Sequence, residues 1–152
     1  MADIPYPDWM PLALQEGYGF SPVSPLIRST FVSGRSMQRR RARSTPTHVS
    51  VTFLMSNGPA ALFEKWFQED LLDGAAWFLC PLRTPLGLDY YKSKFVDIYE
   101  GPILVGGKYW RFTATLEVYT RPLLPDGSTA YPDPFLHPEI VDLTANKEWP
   151  EA

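Results

Sequence analysis

Six arginines fall between positions 28 and 43 with no acidic residue among them: Arg28, Arg35, Arg39, Arg40, Arg41 and Arg43. Guanidinium groups at this density can contact phosphates, pair bidentately with carboxylates, or stay solvated. The rest of the chain favours the carboxylates. Residues 1–27 carry three acids and no base, and residues 44–152 carry fourteen acids against eight bases. A net charge of −3 therefore conceals one basic segment on an acidic body. Such a body repels a polyanion and offers complementary surface to another copy of itself. Aromatic interleaving, which single-stranded nucleic acid uses for base stacking, is reduced to Phe31. A nuclear-import tag has no eukaryotic cue to support it. The run reads as a subunit contact through Arg35, Gln38, Arg39, Arg40, Arg41 and Arg43, with nucleic-acid binding as the alternative and a solvated loop as the plain reading.

Catalytic chemistry has less to work with. His48 opens a candidate strand and His137 lies in a proline-rich stretch, and neither has metal-ligand spacing to the other or to Cys80. Cys80 ends an apolar run and reads as a small buried hydrophobe. A lone cysteine excludes an internal disulfide and fits a reducing compartment. No G-x-S-x-G, Walker A or H-E-x-x-H motif is present. The glycine-bearing "SNGP" and "VGGKYW" read as turns, not phosphate cradles. The acids of "QED" and "LLDG" fall on the solvated side of a helix. The expectation is a protein that is not an enzyme, with no cofactor and no metal.

The elements that must position the arginines follow from periodicity. In "THVSVTFLM", Val49, Val51, Phe53 and Met55 alternate with Ser50, Thr52 and Leu54, the pattern of a half-buried strand. A helix over about 58–72 follows, with Ser56 or Asn57 as cap, Pro59 in its first turn and Gly74 as a left-handed stop. Leu62, Phe63, Trp66, Phe67 and Leu71 form its apolar face. "AAWFLCPL" reads as a short buried strand stopped by Pro81, "RTPLGLD" as a turn, "YYKSKFVDIY" as a strand and "EGPILVGG" as a connection. "KYWRFTATLEVY" sets Trp110, Phe112, Ala114, Leu116 and Val118 on one face of a long strand. The fold class is α+β and β-rich: a mostly antiparallel, sandwich-like sheet with one amphipathic helix packed on it.

At 152 residues one domain is expected, and 45% apolar composition supplies its core. No stretch approaches 18 consecutive apolar residues, so no membrane span is expected, and the N-terminus lacks the regions of a signal peptide. Five of sixteen prolines fall in the first 25 residues and six in the last 31, which makes residues 1–30 and 121–152 extended arms. The core domain between them covers 31–120, with an arginine-rich loop at 33–46. Stiff, aromatic-bearing arms (Trp9, Tyr18, Phe135 and Trp149 among them) suit a neighbouring subunit better than solvent.

This order of pieces resembles the small minor tail proteins of tailed bacteriophages, of the distal-tail or tail-tip type found in lambda-like phages. In that family a Gly- and Arg-bearing loop with a Gln-Arg pair precedes an alternating strand. A helix, an aromatic strand ending in proline, a further strand and a final alternating strand follow. The matching pieces are "SGRSMQRRRARS" with Gln38-Arg39, "HVSVTFLM", "ALFEKWFQEDLLDGAAWFLCPL", "SKFVDIY" and "YWRFTATLEV", spanning roughly residues 30 to 120. The resemblance implies a ring-forming structural subunit of the virion, often sixfold, made in the bacterial cytoplasm. Its partners would be copies of itself and neighbouring tail proteins.

Overall fold

The computed structural model describes residues 3–139 and divides into two units, Met1–Pro122 and Leu123–Ala152. The first unit is built on two long strands that were plain in the sequence. β4 (Thr47–Met55) and β8 (Tyr109–Val118) pair antiparallel along their whole length, Val49 opposite Leu116, Val51 opposite Ala114 and Phe53 opposite Phe112. Cross-strand partners share a face, so the two alternating apolar sets coincide on one side of the sheet. Around this pair the six-stranded sheet runs β1–β4–β8–β6–β5, with β1 (Gly19–Pro22), β5 (Phe78–Thr84) and β6 (Gly87–Phe95). β7 (Glu100–Val105) shares the second edge of β8 with β6: it pairs with Tyr109–Thr113, and β6 with Leu116–Val118.

The helix α1 (Asn57–Glu69) covers the apolar face with Ala60, Phe63, Trp66 and Phe67, and Leu71 completes the series in the next turn. Phe63 is fully buried and lies 4.7 Å, centroid to centroid, from Phe112, 5.2 Å from Tyr99 and 6.1 Å from Phe53. Leu62, expected on this face, is 53% exposed. One residue is a 100° turn, and the buried series 60, 63, 67, 71 leaves position 62 on the flank. Neither expected cap residue caps through its side chain; Asn57 Oδ1 instead accepts a 2.6 Å hydrogen bond from Trp110 Nε1. The helix ends at a left-handed run, Leu72, Asp73 and Gly74 (φ 51°, 57° and 91°). A Cβ on Gly74 would stand 3.0 Å from Phe95 Cβ and 3.1 Å from the Phe67 ring, so that position is reserved for glycine twice over.

Three readings need correction. Pro81 does not stop its strand: β5 runs on to Thr84, and Pro81 sits in register with Tyr90. Leu79, two residues earlier, sends its N–H outward to Ile4, so the nitrogen of Pro81 also faces the outer edge, where no ladder donor is needed. "RTPLGLD" is mostly strand, with Pro85 and Leu86 alone making the turn between β5 and β6. "EGPILVGG" contains β7, disguised by Gly101, Pro102 and a bulge between Glu100 and Ile103.

Residues 1–30 also divide differently from the single arm expected. Ile4 bridges Phe78, with Leu79 N–H donating to its carbonyl at 2.9 Å, on the outer edge of β5. Met10 is buried in the core, Leu14 N–H donates to the Thr52 carbonyl of β4 at 2.7 Å, and Gly19–Pro22 joins the sheet as β1. The proline-rich segment thus straps one edge of the sheet to the other. Its hydrophobic contribution starts with Met10, worth about 1.5–3 kcal/mol for a fully buried side chain. β2 (Leu26–Thr30) then leaves the sheet and pairs with β3 (Ser36–Arg40) as a separate two-stranded hairpin.

The second unit is described as far as Glu139. Its prolines do not exclude helix altogether: a 3-10 turn at Ser128–Ala130 is followed by α2 (Asp133–Leu136), with proline in the first turn, where its missing N–H is no loss. Leu123, Tyr131, Phe135 and Leu136 are exposed.

Candidate functional site: an arginine hairpin

The segment expected as a loop over 33–46 is an ordered hairpin. Five pairs set its register: Leu26 with Arg40, Ile27 with Arg39, Arg28 with Gln38, Ser29 with Met37 and Thr30 with Ser36. At the tip, Gly34 N–H donates to the Phe31 carbonyl and Phe31 N–H to that of Arg35, with Gly34 at φ +77° closing the turn. At the base, Arg41 N–H donates to Pro25 and Val23 N–H to Pro46.

This register sorts the side chains. Arg28, Gln38 and Arg40 share one face with Leu26, while Arg39, Met37 and Ile27 share the other, where Arg35 stands opposite Phe31 and Arg41 opposite Pro25. Neither face is covered among the described residues. Every residue of β3 is exposed and only Ile27 of β2 is partly buried. Two strands without a packed face are marginal on their own. Five ion pairs form among the described residues, and none uses an arginine of this segment. Diagonal strand neighbours such as Arg28 and Arg40 have Cα atoms about 7–8 Å apart, and two like charges at a separation of that order repel by about 0.5 kcal/mol in water. A surface rich in carboxylates turns that repulsion into attraction.

The hairpin also carries apolar groups that reasoning from charge passed over. Val32 at the tip is fully exposed, Met37 is 63%, Phe31 51% and Leu26 47% exposed. Their signal was present in the sequence: apolar residues interspersed with arginines in a stretch lacking any core-facing period.

The other expected interface residues are not gathered here. Tyr18 is half-buried and its hydroxyl donates a 2.7 Å hydrogen bond to the Arg83 carbonyl, so it works within its own chain. Burial raises its pKa, with the Arg83 bond acting against that rise. Trp9 is 37% exposed beside buried Met10. Arg43 lies past the end of β3, Phe135 is on α2 in the second unit, and Trp149 lies outside the described residues.

The residues weighed for catalysis are dispersed. His48 Nε2 is 3.7 Å from Glu117 Oε2 on the face of the sheet away from α1. Cys80 is buried within β5 of that sheet, and burial pushes its thiol pKa up, away from the reactive thiolate. Among the described residues no three His, Cys, Asp or Glu side chains converge on a metal position. No helix among them is long and apolar enough to cross a membrane. A scan against protein-family models finds no match, and neither does a search of curated proteins.

Proposed function

We propose that the protein is a structural subunit of a bacteriophage tail, a distal-tail, tail-tip or baseplate-ring component that acts through subunit contacts without catalysis. The observation that carries this reading is the hairpin: a two-stranded ribbon with an apolar tip and arginines along its strands, tip and base, none of them in an ion pair among the described residues. An isolated folded chain gains nothing from such a ribbon, whereas an assembling one gains a charged, shaped contact. The layout of strand, helix and alternating strands supplies the tail assignment by resemblance. A neck or connector position at the head–tail junction uses the same contacts and is the nearest variant of the proposal. In this reading the partners are copies of the chain in a ring, a hexamer by resemblance, and adjoining tail proteins of the virion. No cofactor takes part.

Native mass by light scattering, with negative-stain imaging of the same fraction, tests the proposal. Closed rings of several copies support it; a monomer that also fails to join purified tail intermediates removes it. Exposed arginines fit phosphates as well as carboxylates, so nucleic-acid binding is the second reading. It requires retention on heparin that falls steeply with salt, and the assembly reading does not.

A further inference from the structure

We propose that the arginine hairpin of one copy docks into a groove at the C-terminal end of α1 on a second copy. The inference rests on the assembly reading and names the surface that receives the hairpin. The groove has a volume of about 630 Å³ and is lined by the apolar Leu72, Ala76 and Trp77 and by Asp3, Asp70 and Lys92. Lys92 Nζ is engaged by Asp3 at 3.0 Å and lies with Lys94 over the Trp77 ring, and Lys94 pairs with Glu117, which leaves Asp70 as the acid without an ion pair among the described residues. One further feature makes the groove more negative. Asp70 caps the C-terminal end of α1, and that end of a helix carries partial negative charge. Leu72, held outward by its left-handed backbone, is 65% exposed.

The hairpin is the complement of this surface. Its tip offers Val32 and Phe31 to the apolar lining, and Arg35, paired with Phe31 across the turn, offers Asp70 a guanidinium suited to a carboxylate. Another cavity, of about 500 Å³ between the N-terminal strap and β5, is lined by Arg83 and no acid, and so repels the hairpin. Because hairpin and groove are different surfaces, the contact is heterologous. It propagates from copy to copy and closes into a ring where the rotation allows.

Two full-length variants test the docking directly. A Val32→Cys chain is mixed with a Leu72→Cys chain under mild oxidation; Cys80, 1% exposed, stays out of the reaction. The mixed disulfide dimer is expected at roughly ten times the yield of either like pair. Asp70→Arg in the second chain, or Arg35→Asp in the first, should lower the mixed yield about tenfold, and the two together should restore it. Urea melts of each chain establish that the variants are folded. A mixed yield no greater than the like pairs, or one indifferent to Asp70→Arg, overturns the docking. The broader reading is tested separately by exchanging Arg39, Arg40 and Arg41 for serine. If that change abolishes association while Asp70→Arg does not, the hairpin remains the contact and the groove is wrong. If neither change alters association, both readings fall.

Discussion

The serine exchange at Arg39, Arg40 and Arg41 separates folding from assembly, and its two magnitudes can be worked out in advance. On the folding side, Arg39 and Arg40 are exposed, and none of the three forms an ion pair or a side-chain hydrogen bond among the described residues. A surface change of this kind moves stability by about 0.5 kcal/mol or less. Relief of the Arg28–Arg40 repulsion, itself about 0.5 kcal/mol, acts in the stabilising direction. Association should respond on another scale. A hydrogen bond to a charged group is worth about 1.5–3 kcal/mol. Losing three at the low end removes about 4.5 kcal/mol, a weakening on the order of a thousandfold. Urea unfolding followed by tryptophan fluorescence gives the first quantity, and sedimentation velocity across a concentration series gives the second. A stability loss above about 1.5 kcal/mol would refute the reasoning, because the arginines would then be holding their own domain together. Unchanged association would refute it from the other side.

Three further outcomes follow from the packing and the titrating groups. Gly74→Ala combines a left-handed backbone, costing about 1–2 kcal/mol for an L residue, with a Cβ pressed 3.0 Å from Phe95 and 3.1 Å from Phe67, an overpacking cost of about 1–3 kcal/mol; urea melts should show a total loss of about 2–5 kcal/mol. Phe63→Ala empties the centre of the aromatic cluster and should cost about 3–5 kcal/mol, read in the same melts, while Leu62→Ala on the exposed flank should cost under about 1 kcal/mol. Burial raises the pKa of both Cys80 and Tyr6, so the folded state holds these protons more tightly than the unfolded chain does. Stability should therefore fall as pH rises past about 9, where unfolded cysteine begins to ionise, and fall faster past about 10 when tyrosine joins, by about 1.4 kcal/mol per pH unit per group. Cys80→Ala should delay the onset by about one pH unit in pH-dependent denaturation.

The sequence was most readable where one face of an element is buried and the other is wet. β4, β8 and α1 have that asymmetry, and their alternations at Val49–Met55 and Trp110–Val118 and the helical series through Phe63 and Phe67 follow from it. Elements lacking it were harder to see. β7 carries no alternation because Glu100 to Leu104 are exposed throughout, and its Gly-Pro pair mimics a loop. The hairpin strands β2 and β3 have no core to face, so their sequence records only charge. Pro81 read as a stop because a linear pattern does not say which edge of a strand its nitrogen occupies. The strap read as a free arm because its anchors, Ile4, Met10 and Leu14, are single residues spaced too irregularly to make a period. For the candidate site, composition drew attention to the arginines, but their division between two faces and the apolar tip required the register.

The strap also sets the order in which the domain can be completed. The Tyr18 hydroxyl meets the Arg83 carbonyl across 65 residues of chain, and Ile4 meets Phe78 across more. On the ribosome the strap is finished well before β5 exists to receive it. Local structure such as α1 and the β5–β6 hairpin forms at low loop-closure cost, whereas the strap must wait for the sheet it closes. Until then the outer edge of β5 and the far edge of β4 are both unpaired, and an open edge accepts any strand within reach. Closure of the strap is therefore the step at which a nascent chain covers part of each of these two edges against a neighbour. From that point it presents the hairpin as an unpacked ribbon, together with the outer edge of β7, which no other described strand pairs.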